Sequence, residues 1–189
     1  MYDRADLSRL TVYDEQGRPA GGRVRLGPIK VHGRPRPAPR VQHPLLAHFG
    51  DQIDLVGAGL DGSTLAPGQT ATLALYWRAR GRPGRDYTVF VQLVDAAGTI
   101  RAQGDGPPDR GGYPTSVWDD GEVIADPHGL ALASSTPRGR YRLLVGLYAP
   151  ETGRRLPLLD GAGQIVGDHV TLDVTVGEPA AGTPGGRQP

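Results

Sequence analysis

An all-β fold, an immunoglobulin-like antiparallel β-sandwich of roughly seven to nine strands, is what three features of the sequence predict. Apolar residues alternate with period two in Thr70–Trp77, Tyr87–Val94 and Tyr141–Tyr148, so that Tyr141, Leu143, Val145 and Leu147 share one face of a half-buried strand. The 29 glycines and 18 prolines fall mostly between such runs, as turn punctuation does. No stretch carries the 3.6-residue periodicity of an amphipathic helix.

Taken in chain order, residues 1–32 read as the last strands of a preceding, similar sandwich. Tyr13-Asp-Glu-Gln-Gly-Arg-Pro19 followed by Val24–Val31 echoes Tyr148-Ala-Pro-Glu-Thr-Gly-Arg154 followed by Val170–Val176. The alternative is two unrelated hairpins with common turn chemistry. Residues 33–40, with three prolines and three arginines, form a linker that packs poorly. The complete sandwich then occupies residues 41–176. Its further strands are expected at Ile53–Leu60, Ile100–Gln103, Glu122–Leu132 and Gln164–Val176, and residues 177–189 read as a disordered tail.

Within that domain Trp77, at the end of an early strand, is the expected core tryptophan. Tyr141, just after the turn Pro137-Arg-Gly-Arg140, stands where sandwiches of this kind carry a tyrosine whose hydroxyl bonds back to the backbone. The connection Gly111–Ile124 holds Tyr113 and Trp118 among Pro, Gly and Asp. Two readings are open for it: a ligand-binding surface formed by Tyr113, Trp118, Asp119 and Asp120, or an anchor with Trp118 pinning the connection onto the core. Tryptophan is buried more often than displayed, which favours the anchor.

Composition excludes several functional classes. With 21 basic and 20 acidic residues scattered along the chain, the net charge is +1 and the footprint of a nucleic-acid binder is missing. There is no cysteine for disulfides or thiolate metal sites. Apolar runs stay far below the about 20 residues that cross a bilayer, so this chain is expected not to insert into a membrane itself, and its N-terminus is no signal peptide. Arginine supplies all basic positions but Lys30, and asparagine is absent, which leaves no N-glycosylation acceptor.

The motifs that could carry chemistry have structural readings. Gly57-Ala-Gly-Leu-Asp-Gly62 fits the dinucleotide fingerprint, but Ser63–Gly68 leaves no room for the helix that would face a pyrophosphate, so it reads as a turn and no cofactor is expected. The histidines, His32, His43, His48, His128 and His169, lack metal-ligand spacing and read as solvated loop residues. None of the serines sits in a nucleophile elbow. Asp119-Asp120-Gly-Glu122 could offer oxygen ligands to Ca²⁺, yet Asp-Asp-Gly is equally a good turn, and the turn is preferred. No catalytic or metal residue is therefore assigned.

Six segments in order, His43–Gly50, Leu65–Gly68, Leu73–Trp77, Tyr87–Leu93, Tyr113–Trp118 and Tyr141–Tyr148, carry a resemblance. Together they resemble the C-terminal β-sandwich domain of bacterial multi-spanning membrane proteins of glycosyltransferase type, related to the dolichyl-phosphate-mannose mannosyltransferases, over residues 43–176. The resemblance implies an extracytoplasmic or cell-surface location, reached through segments outside this chain. It also implies a non-catalytic accessory, spacer or interaction module whose partners are the membrane part of a parent protein or a cell-envelope glycan. The rival expectation is a carbohydrate-binding module using Tyr113 and Trp118; a hydrolase on a sandwich scaffold is the remote third.

Overall fold

Alternation in the run Thr70–Ala79 turns Leu73, Leu75, Trp77 and Ala79 to one side, and all four are buried. The computed structural model describes residues 43–60 and 64–177, together with 38–41 and positions 11, 13, 16–19 and 30. Ten strands are present among them: β1 (Pro44–Phe49), β2 (Ile53–Leu60), β3 (Thr70–Ala79), β4 (Thr88–Val94), β5 (Ile100–Gln103), β6 (Val123–Ala131), β7 (Gly139–Tyr148), β8 (Leu158–Leu159), β9 (Ile165–Gly167) and β10 (Val170–Val176).

The strands form two antiparallel sheets, one in the order β6-β3-β2-β1-β8-β9 and the other β10-β7-β4-β5. Between them lies one core. Trp77 meets Phe49 edge to face at 5.8 Å, and Val89, Val91 and Leu93 of β4 and Leu143, Val145 and Leu147 of β7 close it from the smaller sheet. Tyr141 lies at the start of this layer, and its hydroxyl donates to the Pro137 carbonyl at 2.8 Å. That bond ties the turn before β7 to the strand it feeds.

One expected strand divides in two. The run Gln164–Val176 breaks at Asp168, leaving Ile165–Gly167 on the six-stranded sheet and Val170–Val176 on the four-stranded one. Asp160 is the cause of the extra hairpin: its carboxylate accepts from the backbone N–H groups of Ala162 and Gln164 at 2.9 and 2.8 Å, folding β8 back onto β9. The hairpin leaves Ile165 and Val166 exposed at the sheet edge.

The outer side of the four-stranded sheet depends on a missing side chain. Gly146 stands directly opposite Phe90, and a Cβ there would lie 2.6 Å from the Phe90 ring and 2.7 Å from the Asp168 carbonyl. Phe90 consequently lies flat under the Arg155 guanidinium, 4.1 Å away, and Arg155 reaches Asp168 at 3.3 Å. A cation and an aromatic ring thereby close an apolar patch on a solvent-facing surface.

The chain divides into two compact units, residues 1–33 and 34–189. In the first, the described residues form a small turn in which Tyr13 bridges Pro19 and Arg18 donates to Gln16 at 3.0 Å. The remainder of the strands expected in 1–32, most of the 33–40 linker and the tail from residue 178 lie outside the described residues. Among the described residues no helix is long and apolar enough to cross a membrane.

Candidate functional site

The connection from β5 to β6 crosses the open side of the sandwich and contains a tight left-handed turn at Pro108–Gly111 and a single 3₁₀ turn at Thr115–Val117. Its first residue sets the path: a Cβ at Gly104 would lie 2.6 Å from the Gly129 carbonyl, so the chain passes against β6 only because glycine is there. Asp109 and Arg110 follow with φ of 49° and 52°, a left-handed geometry that costs roughly 1–2 kcal/mol per residue with a Cβ.

A buried carboxylate holds this strained turn. Asp126 of β6 accepts from the Asp109 backbone N–H at 3.0 Å, from the Trp77 indole N–H at 3.0 Å and from His128 Nε2 at 2.7 Å. The other nitrogen of His128, Nδ1, faces the Gly104 carbonyl at 2.8 Å. A ring that donates from both nitrogens is an imidazolium. Burial pulls the His128 pKa down, but the hydrogen bond and charge of Asp126, the Gly104 carbonyl and the charge of Asp105 outweigh it and hold the pKa above the usual histidine value.

His128 corrects a sequence expectation. Only 6% exposed, it is no solvated loop histidine but part of a strand that faces inward. A signal was present: Ile124 and Leu130 fix the inward parity of β6, and Asp126 and His128 share it.

Beyond the strained turn, the aromatic pair separates. Trp118 has 0% exposure and belongs to the core, and its indole N–H donates to the Tyr113 carbonyl at 3.1 Å. No face of that ring is open, so the two rings do not make a joint stacking platform. Tyr113 is half-buried, and its hydroxyl donates to the Glu122 carboxylate at 2.9 and 3.0 Å. Thr115, fully buried, locks the same segment by donating to the Arg85 carbonyl and accepting from the Tyr87 N–H.

The Asp-Asp-Gly sequence is a turn, closed by the Glu122 N–H on the Asp119 carbonyl at 3.0 Å with Gly121 at φ 74°. Its carboxylates bind the loop that carries the chain from β3 to β4 in the other sheet: Asp120 accepts from the Gly81 N–H at 2.7 Å, and Asp119 pairs with Arg82 at 3.1 Å. Among the described residues no group of three or more potential ligands is placed to hold a metal ion.

These elements leave an open cleft of about 800 Å³ beside β6, lined by Pro39, Asp109, Tyr113, Asp119, Asp120 and Glu122 with Val123–Ala125 as its wall. The predicted Tyr113, Asp119 and Asp120 thus meet in one place, while Trp118 serves beneath it. Glu122, which accepts from the Tyr113 hydroxyl, was read in the sequence as a member of the acidic group and the start of a strand, not as a partner of Tyr113.

No protein-family model and no curated protein matches the chain. Among solved structures it is similar to the C-terminal domain of Wzt, at 12% identity and a TM-score of 0.46, over 78% of this chain and 86% of that one. It is also similar to the CARDB domain of a Pyrococcus furiosus protein in complex with di-metal ions, at 12% identity and a TM-score of 0.37, over 72% of this chain and 94% of that one. A third is AvmM, which catalyses macrocyclization in alchivemycin A biosynthesis, at 14% identity and a TM-score of 0.36, over 73% and 98%. None of the three bears on what this chain binds.

Proposed function

We propose that this chain is a non-catalytic accessory module of a bacterial cell-envelope protein of membrane-glycosyltransferase type. One observation carries the reading. The six segments that bear the resemblance all fall within one sandwich, on β1, the turn before β3, β3 itself, β4, the β5–β6 connection and β7. The buried ionisable groups support it further. Asp126 and His128 are committed to structural hydrogen bonds, and no buried side-chain polar atom among the described residues lacks a partner.

The location is tested by producing the full-length parent with a tag in this domain and treating intact cells, with the outer barrier permeabilised, with protease. Digestion before the inner membrane is broken supports an extracytoplasmic module. Protection until lysis refutes it.

The carbohydrate-binding reading keeps a specific observation of its own. Tyr113, Asp109, Asp119, Asp120 and Glu122 line an open cleft, and carboxylates accept pairs of hydroxyls from a polyol. Here Trp118 supports the cleft rather than contacting the sugar. Retention of the chain on a gel of bacterial envelope polysaccharide, reduced by Tyr113→Ala with the fold intact, supports the reading. Equal retention of both proteins counts against it.

A further inference from the structure

The outer side of the six-stranded sheet carries a polar cluster that does not line the cleft. His48, Asp54 and Arg78 are direct cross-strand partners on β1, β2 and β3. The next residues along those strands, Phe49, Ile53 and Ala79, lie in the core, so this row faces away from it. Asp54 is nevertheless 0% exposed. A carboxylate with no solvent contact, on the outer face of a sheet, is covered by the cations around it.

Its oxygens are fully engaged. Asp54 Oδ2 accepts from Arg78 Nη2 at 2.6 Å and from Nε at 3.2 Å, and Oδ1 faces His48 Nδ1 at 2.7 Å. That contact places the His48 proton on Nδ1, since an unprotonated nitrogen would oppose the carboxylate with a lone pair. Arg80 arrives last. Its Nη1 is 3.4 Å from His48 Nδ1, which has no lone pair left to accept, and 3.7 Å from Asp54 Oδ1, beyond hydrogen-bond reach.

Among the described residues Asp54 is the only carboxylate within ion-pair distance of Arg78 or Arg80. One negative charge therefore faces two guanidinium groups, whose side chains are 41% and 49% exposed. Arg78 is held rigid by its two bonds to one oxygen, and Arg80 presents an unmatched planar fork beside it. Two neighbouring guanidinium groups sharing one carboxylate suit a tetrahedral oxyanion.

We propose that Arg80 and Arg78 form a binding site for a phosphate group, with Asp54, itself held by His48, orienting Arg78 from below. The proposal does not rest on the accessory-module reading. Its phosphate belongs either to a small soluble molecule or to a lipid headgroup.

The full chain is titrated at constant ionic strength with inorganic phosphate against a chloride background, followed by the Arg Nε–H resonances. In parallel it is sedimented with phosphatidylcholine vesicles with and without phosphatidylglycerol. Arg80→Gln is expected to weaken binding at least ten-fold. Arg80→Lys, which keeps the charge but loses the fork, is expected to fall between. Because Arg80 is half-exposed, an unchanged urea midpoint in both variants shows that folding is not the cause.

Saturable, Arg80-dependent binding of inorganic phosphate identifies a soluble source. Arg80-dependent sedimentation with phosphatidylglycerol vesicles alone identifies a lipid source. Binding of neither probe, or binding that Arg80→Gln leaves unchanged, overturns the proposal.

Discussion

Replacing His128 by Ala removes one partner of a buried ion pair and leaves the other in place. Asp126 keeps its bonds from Trp77 and the Asp109 N–H but loses the cation that neutralises it, and the Gly104 carbonyl loses its donor. Breaking a buried pair in this way costs about 3–5 kcal/mol, a large part of the 5–15 kcal/mol by which a domain is stable. The pH dependence follows from the raised pKa of His128. Its contribution is fully present below the unfolded histidine value of about 6.5 and is lost as pH rises through the higher folded value. Urea unfolding, followed by the fluorescence of the two buried tryptophans, reads both effects. The difference between wild type and His128→Ala isolates this residue from the other histidines. It is expected to be largest at pH 6 and to shrink toward alkaline pH. A variant within about 1 kcal/mol of wild type at pH 6, or a difference that does not change with pH, would falsify the account of the Asp126 network.

Three further substitutions probe the rest of the frame. Trp118→Ala should cost about 3–5 kcal/mol as a truncated core aromatic; an unchanged denaturation midpoint would show that the β5–β6 connection holds without its anchor. Tyr141→Phe should lower stability by about 1 kcal/mol by removing the bond to Pro137 while keeping the ring packed, and equal midpoints for the two proteins would assign that hydroxyl no role. Gly146→Ala should cost about 1–3 kcal/mol, because the new methyl meets the Phe90 ring and the Asp168 backbone; a neutral result in thermal unfolding would mean that this surface repacks freely.

Strands whose one face is buried were legible in the sequence, because alternation records that burial directly. β2 and β5 lie where the pattern placed them, and β3, β4, β6 and β7 differ only at their ends. What escaped is the work of side chains acting across the chain. β1 reads as Pro-Leu-Leu-Ala-His-Phe, which does not alternate, and its place in the sheet comes from β2 on one side and β8 on the other. The break between β9 and β10 has the same origin, since Arg155 and His169 both hold Asp168 where the chain leaves one sheet for the other.

The candidate site was half legible. Residue type marked Tyr113, Asp119 and Asp120, but nothing local says that Trp118 points down while Tyr113 stays at the surface. That follows from the Trp118 bond to the Tyr113 carbonyl. Asp54 was invisible for a related reason, and of His128 only its inward parity could be read. A buried charge is stable only with its partners, and Arg78 and Gly104 are brought to them by the fold.

The pairing of β1 with β8 joins Phe49 to Leu158, and that of β3 with β6 joins Thr70 to Ala131. A ribosome releases these partners far apart in time. Until residue 158 emerges, β1 has an open backbone edge, and the β2–β3 pair beside it cannot complete the larger sheet. Contacts of such sequence separation carry a high loop-closure entropy, so folding is expected on the slow side, with the sheets assembling together late rather than strand by strand.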